Sequence, residues 1–325
     1  MQGERGRTSP WLGSVFVWLA AMLLLAGCAT QTQSLLMRGV PDLPRRAELS
    51  STPFHPQERY QCGPAALAMS LNAAGIAVGP EALVSQVFVP AREGSLQPEM
   101  LAAARRNGAV GVVIPPRLDA LAAEIAAGNP VIVLQNLSLP LFPLWHYAVA
   151  IGYDLDAETI VLRSGITERL EMPLSTFENT WARSGYWGMV AAPPGRIPVT
   201  PGEAAIVDSL VAFERTAGSA KVRGAYQAAL KRWPDNLTLQ VGFGNAAFAA
   251  GDLKTAESVF RRAADAHPKN AAVLNNLATV LADMGELDRA ADIAARAVAL
   301  GGPWQEEAEA TLRSIRSARK AGVGR

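Results

Sequence analysis

One cysteine stands at the head of an apolar, alanine-rich stretch, Gln61-Cys62-Gly63-Pro64-Ala65-Ala66-Leu67-Ala68-Met69. Pro64 is compatible with a helix only in the first turn, where the N–H groups have no intrahelical partner, so Cys62 is predicted to open a helix running to Asn72 and stopping at Gly75. There the positive end of the helix dipole favours thiolate over thiol, and the thiolate is the nucleophile. Gly63 keeps the approach to the sulfur free of side chain. The chain has 2 cysteines. The other, Cys28, is assigned elsewhere below, so an internal disulfide is excluded and Cys62 needs a chemical reason.

A nucleophile needs a base, and 3 histidines are available. His267 precedes Pro268 at a repeat boundary and is expected to be structural. His55 is a candidate, and His146 is the stronger one. It opens the β-branched, aromatic stretch His146-Tyr147-Ala148-Val149-Ala150-Ile151-Gly152-Tyr153-Asp154, 146 − 62 = 84 residues after Cys62. That places a nucleophile on a helix and a base on a strand of the sheet that follows. The three histidines are far apart in sequence and make no metal cluster, and no Gly-x-x-x-x-Gly-Lys-Ser/Thr phosphate loop is present, so no cofactor is expected.

The Cys-Gly-Pro/Ala-Ala-x-Leu-Ala helix start, an upstream glutamine, and a later strand from histidine to Gly-Tyr-Asp resemble the papain-like peptidases that process double-glycine leader peptides of bacteriocins. The resemblance covers roughly Pro53 to Pro193. It implies Cys62 as nucleophile, His146 as base, and a third, orienting residue. If the strands His146 to Gly152 and Thr159 to Ser164 pair about a turn at Asp154 to Ala157, partner numbers sum to about 310 and Ser164 faces His146. The family has Asp followed by Pro there, whereas this chain has Ser164 and Gly165. A serine hydroxyl can fix the imidazole tautomer but supplies no charge for the imidazolium. Asp154 and Asp156 sit at the far turn and are expected to be turn residues. For the oxyanion, the N–H of Cys62 is one donor and a glutamine amide the other. Gln57, five residues upstream, is favoured over the adjacent Gln61.

These residues need scaffolding. Helices are expected at Cys62 to Asn72, Gln97 to Asn107 and Leu118 to Ala127. Strands are expected at Val110 to Ile114, Val131 to Leu134, His146 to Ile151, Thr159 to Arg163 and Trp187 to Ala191. The fold class is α+β, a papain-like domain with an N-terminal helix carrying the cysteine and an antiparallel sheet, over residues 51–193. A Pro- and Gly-rich linker, 194–202, leads to an all-α part, 203–325. There Pro234 and Pro268, Gly251 and Gly285, Ala256 and Ala290, and Ala229, Ala263 and Ala297 recur every 34 residues, the tetratricopeptide period. Two good repeats span Leu237 to Gly302, with a degenerate one before them and a capping helix from Trp304 to Arg319. Their concave face is expected to bind a protein partner.

At the N-terminus, Arg5 and Arg7 precede an apolar run, Trp11 to Ala26. Leu25-Ala26-Gly27-Cys28 resembles the bacterial lipobox, which implies a signal peptide over residues 1–27, lipid on Cys28, and a tether over 28–50. Ala29, rather than Asp, points by resemblance to Gram-negative sorting rules toward the outer membrane, with the body facing the periplasm. Of 325 residues, 50% are hydrophobic and 18% charged, with 30 basic and 29 acidic side chains. Removing residues 1–27, with Arg5, Arg7 and Glu4, leaves 28 of each sign. That composition excludes a disordered tail protein and gives no electrostatic reason to expect nucleic acid. The expectation is a lipid-anchored cysteine peptidase acting on a peptide or protein substrate, with cleavage after small residues such as Gly-Gly implied by the resemblance alone. A catalytically weak binding scaffold is the alternative, and an acyltransferase would need the same groups.

Overall fold

In this computed structural model, residues 30–57 and 61–323 are described; the side chains of 219–220 and 321–323 are not. Cys28, expected to carry lipid, and the expected signal peptide over residues 1–27 lie outside the described residues. The first part of the chain carries α1 (Thr30–Arg38), β1 (Arg46–Glu48), α2 (Cys62–Ala73), α3 (Pro80–Val87), β2 (Phe88–Val89), β3 (Gly94–Ser95) and α4 (Gln97–Arg106). It continues through β4 (Val110–Val113), α5 (Leu118–Ala126), β5 (Val131–Asn136), β6 (Trp145–Asp154), β7 (Thr159–Ser164), β8 (Thr167–Pro173), α6 (Leu174–Ala182) and β9 (Gly188–Ala192). Seven strands form one sheet in the order β4-β9-β5-β6-β7-β8, with β1 on β6. Every described pairing is antiparallel. β5 faces β6 up to Val131↔Ala150, and β1 takes the vacated lane from Glu48↔Gly152 onward.

Alternation along β6 feeds two cores. Tyr147, Val149 and Ile151 pack with α2 and α4, while Ala148 and Ala150 pack with α1, α5 and α6. α2 is apolar on every side, and Gly63 to Leu71 are all buried. A helix of that kind must sit inside a domain, which fixes its N-terminus against the sheet. The stretch expected as a tether is instead structured from Thr30 on. Leu35 enters a core, and the buried Glu178 carboxylate of α6 accepts from the N–H groups of Gln31 (2.9 Å) and Thr32 (2.6 Å) at the start of α1.

The second part is α7 (Glu203–Ala217), α8 (Ser219–Leu230), α9 (Leu237–Ala249), α10 (Leu253–Ala266), α11 (Ala271–Asp283), α12 (Leu287–Leu300) and α13 (Gln305–Val323). Ala229, Ala263 and Ala297 are fully buried where paired helices cross. At Gly244 a methyl group would meet the Phe260 ring at 2.6 Å, so only glycine admits the crossing of α9 and α10. Asn236 and Asn270, also 34 apart, cap α9 and α11 by accepting from Leu239 N and Val273 N.

The segment 194–202 is packed rather than loose. The buried Glu124 carboxylate accepts from Val199 N, Thr200 N, Thr200 Oγ1 and Asn129 Nδ2 at 2.6–3.2 Å. Val110 and Val112 of β4 share a core with Ile206, Leu210, Phe213 and Val222 of the helical part.

Candidate active site

The site forms where β7 leaves β6. Their described pairing runs from Asp154↔Thr159 to Val149↔Arg163, with an irregularity between Ala150 and Gly152. Beyond it the N–H and C=O of Tyr147 are left to other partners. The Gln57 amide donates to Tyr147 O (3.3 Å), and the Tyr147 N–H lies against the Cys62 sulfur. The Gln57 main-chain N–H in turn donates to Gly165 O at 3.0 Å. The segment before α2 is thus wedged between β6 and the β7–β8 turn, and Gln57 and Cys62 meet at one residue.

His146, the residue before, places its Nε2 2.9 Å from Ser164 Oγ. The register sums to 312 or 313 rather than the expected 310, because the turn runs through Glu158, whose φ is 54°, and a bulge interrupts β6. Ser164 therefore lies diagonally from His146 and still reaches its ring. Asp154 closes the far turn by accepting from the N–H groups of Asp156 and Ala157, and Asp156 pairs with Arg45. His55 is carried away from the site: its Nε2 lies 2.9 Å from Asn72 Oδ1, ten residues along α2 from Cys62, about 15 Å. His267 ends α10, donating its N–H to Ala263 O. Gln61 precedes α2 without a side-chain cap.

Electrostatics differ from the sequence expectation. Burial pushes the Cys62 thiol above its ordinary value, outweighing the N–H groups of Tyr147, Gly63 and Cys62 that favour thiolate. Burial also holds the His146 imidazole below its ordinary value. The helix N-terminus acts on the sulfur in the expected direction and is outweighed by desolvation. Both shifts act against a thiolate–imidazolium pair, and among the described residues no hydrogen bond joins the Cys62 sulfur to the His146 ring. Ser164 engages Nε2, so Nδ1 is the nitrogen left for a proton from the thiol.

Four supporting residues escaped sequence reasoning. Tyr147 donates its hydroxyl to Ser95 O (3.2 Å), and its ring meets Trp187 edge-on at 5.8 Å. Ser95 fills the space that Gly63 leaves: a methyl group on Gly63 would lie 2.1 Å from Ser95 Oγ. That hydroxyl is itself buried without a partner. Buried Arg163 holds the approach to Gln57 by donating to the carbonyls of Ser50, Thr52 and Glu168. Position 147, next to the histidine, and the Trp187-Gly188 strand start were the available signals.

Residues 48–189 match the Peptidase C39 like family, and residues 223–271 and 241–303 match tetratricopeptide repeats. The chain is thus a peptidase C39-like α+β domain followed by an all-helical tetratricopeptide region. Among solved structures, it is similar to a protein of Bacillus anthracis described as C39-like, at 20% identity and TM-score 0.40, over 48% of this chain and 99% of that one. It is also similar to a mutant O-GlcNAc transferase of Thermobaculum terrenum, at 24% identity and TM-score 0.33, over 36% of this chain and 23% of that one. No curated protein matches it.

Proposed function

We propose that the protein is a lipid-anchored, extracytoplasmic cysteine peptidase. The observation that carries this reading is the convergence of Cys62, His146, Gln57 and Ser164 on the stretch 146–147 of one strand. Cys62 Sγ attacks the scissile carbonyl as its proton passes to His146 Nδ1, and Ser164 holds the ring by accepting from Nε2–H. The Cys62 N–H and the Gln57 amide, released from Tyr147 O, donate to the oxyanion. The imidazolium returns the proton to the leaving amine, and water, deprotonated by the same nitrogen, releases the acyl group. Family membership of the domain supports a peptide substrate. Cleavage after small residues is an extension of the same likeness.

The test is mass spectrometry of the chain with a peptide aldehyde or acyl-transfer probe. A covalent adduct on Cys62, lost in Cys62→Ala and strongly slowed in His146→Ala, is expected. A probe adduct indifferent to His146 would overturn the mechanism. Burial acting against an ion pair at Cys62 and His146, and the serine in place of a carboxylate, favour a second reading, a slow or inactive domain that binds peptide. In either case a groove of about 330 Å³ in the helical region, lined by Gln227, Lys231, Pro234, Phe243, Val259 and Arg262, offers a partner a place to sit.

A further inference from the structure

The loop from β5 to β6 and the first residue of β6 run Leu137-Ser138-Leu139-Pro140-Leu141-Phe142-Pro143-Leu144-Trp145, with no charged residue. Its six large apolar side chains are 45% to 79% exposed, and it ends on His146. The loop is built. Asn136 Oδ1 accepts from Ser138 N (3.0 Å) and Leu144 N (2.9 Å), Leu137 N donates to Leu144 O (2.9 Å), and Arg183 donates to the carbonyls of Asn136 and Ser138. Two prolines limit its collapse onto the body. Consecutive exposed apolar residues on a held protrusion mark a surface that meets an apolar phase.

The chain's own N-terminus shows which phase. β4 and β5 are both antiparallel to β9, so they run in the same direction and end at the same end of the sheet. The Gln31 side chain donates to Pro116 O and accepts from Leu118 N, just past the end of β4. From there the chain travels to β1, which pairs with β6 at Asp154, the opposite end. The start of α1 therefore lies at the end of the sheet from which the apolar loop projects. Both are pinned at α6, the first at Glu178 within it and the second at Arg183, the residue that caps its C-terminus, five residues or about 7.5 Å apart along the axis. Cys28 is two residues before Thr30.

We infer that the Leu137 to Trp145 loop docks on the bilayer beside the chain's own anchor, so that the mouth of the Cys62 site faces the membrane surface. The inference rests on the anchored reading above for its geometry. A tryptophan at the root of the loop suits the interface, where one edge is apolar and the other wet.

The test uses the mature chain from Cys28 onward, lipidated there and freed of Trp11 and Trp18, in vesicles of phosphatidylethanolamine and phosphatidylglycerol carrying brominated acyl chains, which quench tryptophan on contact. Quenching is expected in the parent, lost in large part in Trp145→Phe, and retained in Trp304→Phe, whose tryptophan is on the helical region. A chain with both Leu141→Ser and Phe142→Ser should lose the same quenching without touching Trp145. Quenching unchanged in Trp145→Phe, in a chain that floats with the vesicles, would overturn the docking, and protection of the loop by an apolar peptide instead would assign it to a protein ligand. The mass of the N-terminal peptide reports acylation of Cys28 independently, so a missing anchor is told apart from a loop that stays in water.

Discussion

His146 Nε2 lies 2.9 Å from the hydroxyl oxygen of Ser164, so the imidazole is oriented by a neutral partner. Such a partner fixes the tautomer and leaves the imidazolium without a countercharge. Ser164→Ala should lower kcat/KM by about tenfold, and Ser164→Asp should raise it while shifting the acid limb of the pH–rate profile upward. A profile identical in all three chains would remove Ser164 from the site.

Cys62 alkylation should follow the same electrostatics. With the thiol pushed above its ordinary value, the rate with iodoacetamide should climb through and beyond pH 8.5, with no plateau at neutral pH. A low-pH plateau abolished in His146→Ala would instead establish a resting ion pair.

The His146 shift also bears on stability. The folded pKa lies below the unfolded value of 6.5, so as pH falls below 6.5 the unfolded chain takes up the proton first. The associated stability is present above about pH 6.5 and is lost as pH falls through the folded pKa. His146→Gln should flatten this part of a plot of denaturation midpoint against pH. An unchanged slope would mean that other groups carry it.

Gly63→Ala places a methyl group 2.5 Å from Ser95 Cβ, a contact neither α2 nor β3 can relieve cheaply. A loss of about 1–3 kcal/mol in chemical denaturation is expected. Ser95→Gly in the same chain should restore most of it. Failure of that rescue would place the strain elsewhere.

Glu124→Ala leaves the N–H groups of Val199 and Thr200 without their acceptor. A loss of about 2–4 kcal/mol is expected by the same measurement, with Glu124→Gln milder because one oxygen remains. A neutral Glu124→Ala would show that the segment is held by its packing alone.

The elements that carry the site were legible because they are extreme in composition. The Cys62 helix is apolar throughout, β5 and β6 are β-branched runs, and the 34-residue series fixes the helical repeats. β8 was missed because Thr167 to Pro173 is an exposed edge strand with charged residues on both faces, which mimics a loop. α1 and α6 were missed because they are short and their stabilising contacts, at Glu178, come from 146 residues away. Cys62 and His146 stood out as candidates from residue type, whereas the burial that acts on their protonation did not. Helix dipole and burial oppose each other at the Cys62 sulfur, and the exclusion of water there is set by packing from parts of the chain distant in sequence.

Val110 and Val112, on the last strand of the sheet, are covered by α7 and α8 of the repeats rather than by their own domain. A fragment ending at residue 193 would bare that strand's valines to water. Its failure to express or its precipitation would report a missing cover and say nothing about catalysis. The C39-like half depends on its repeats for that cover, and heat should melt the two halves in one step.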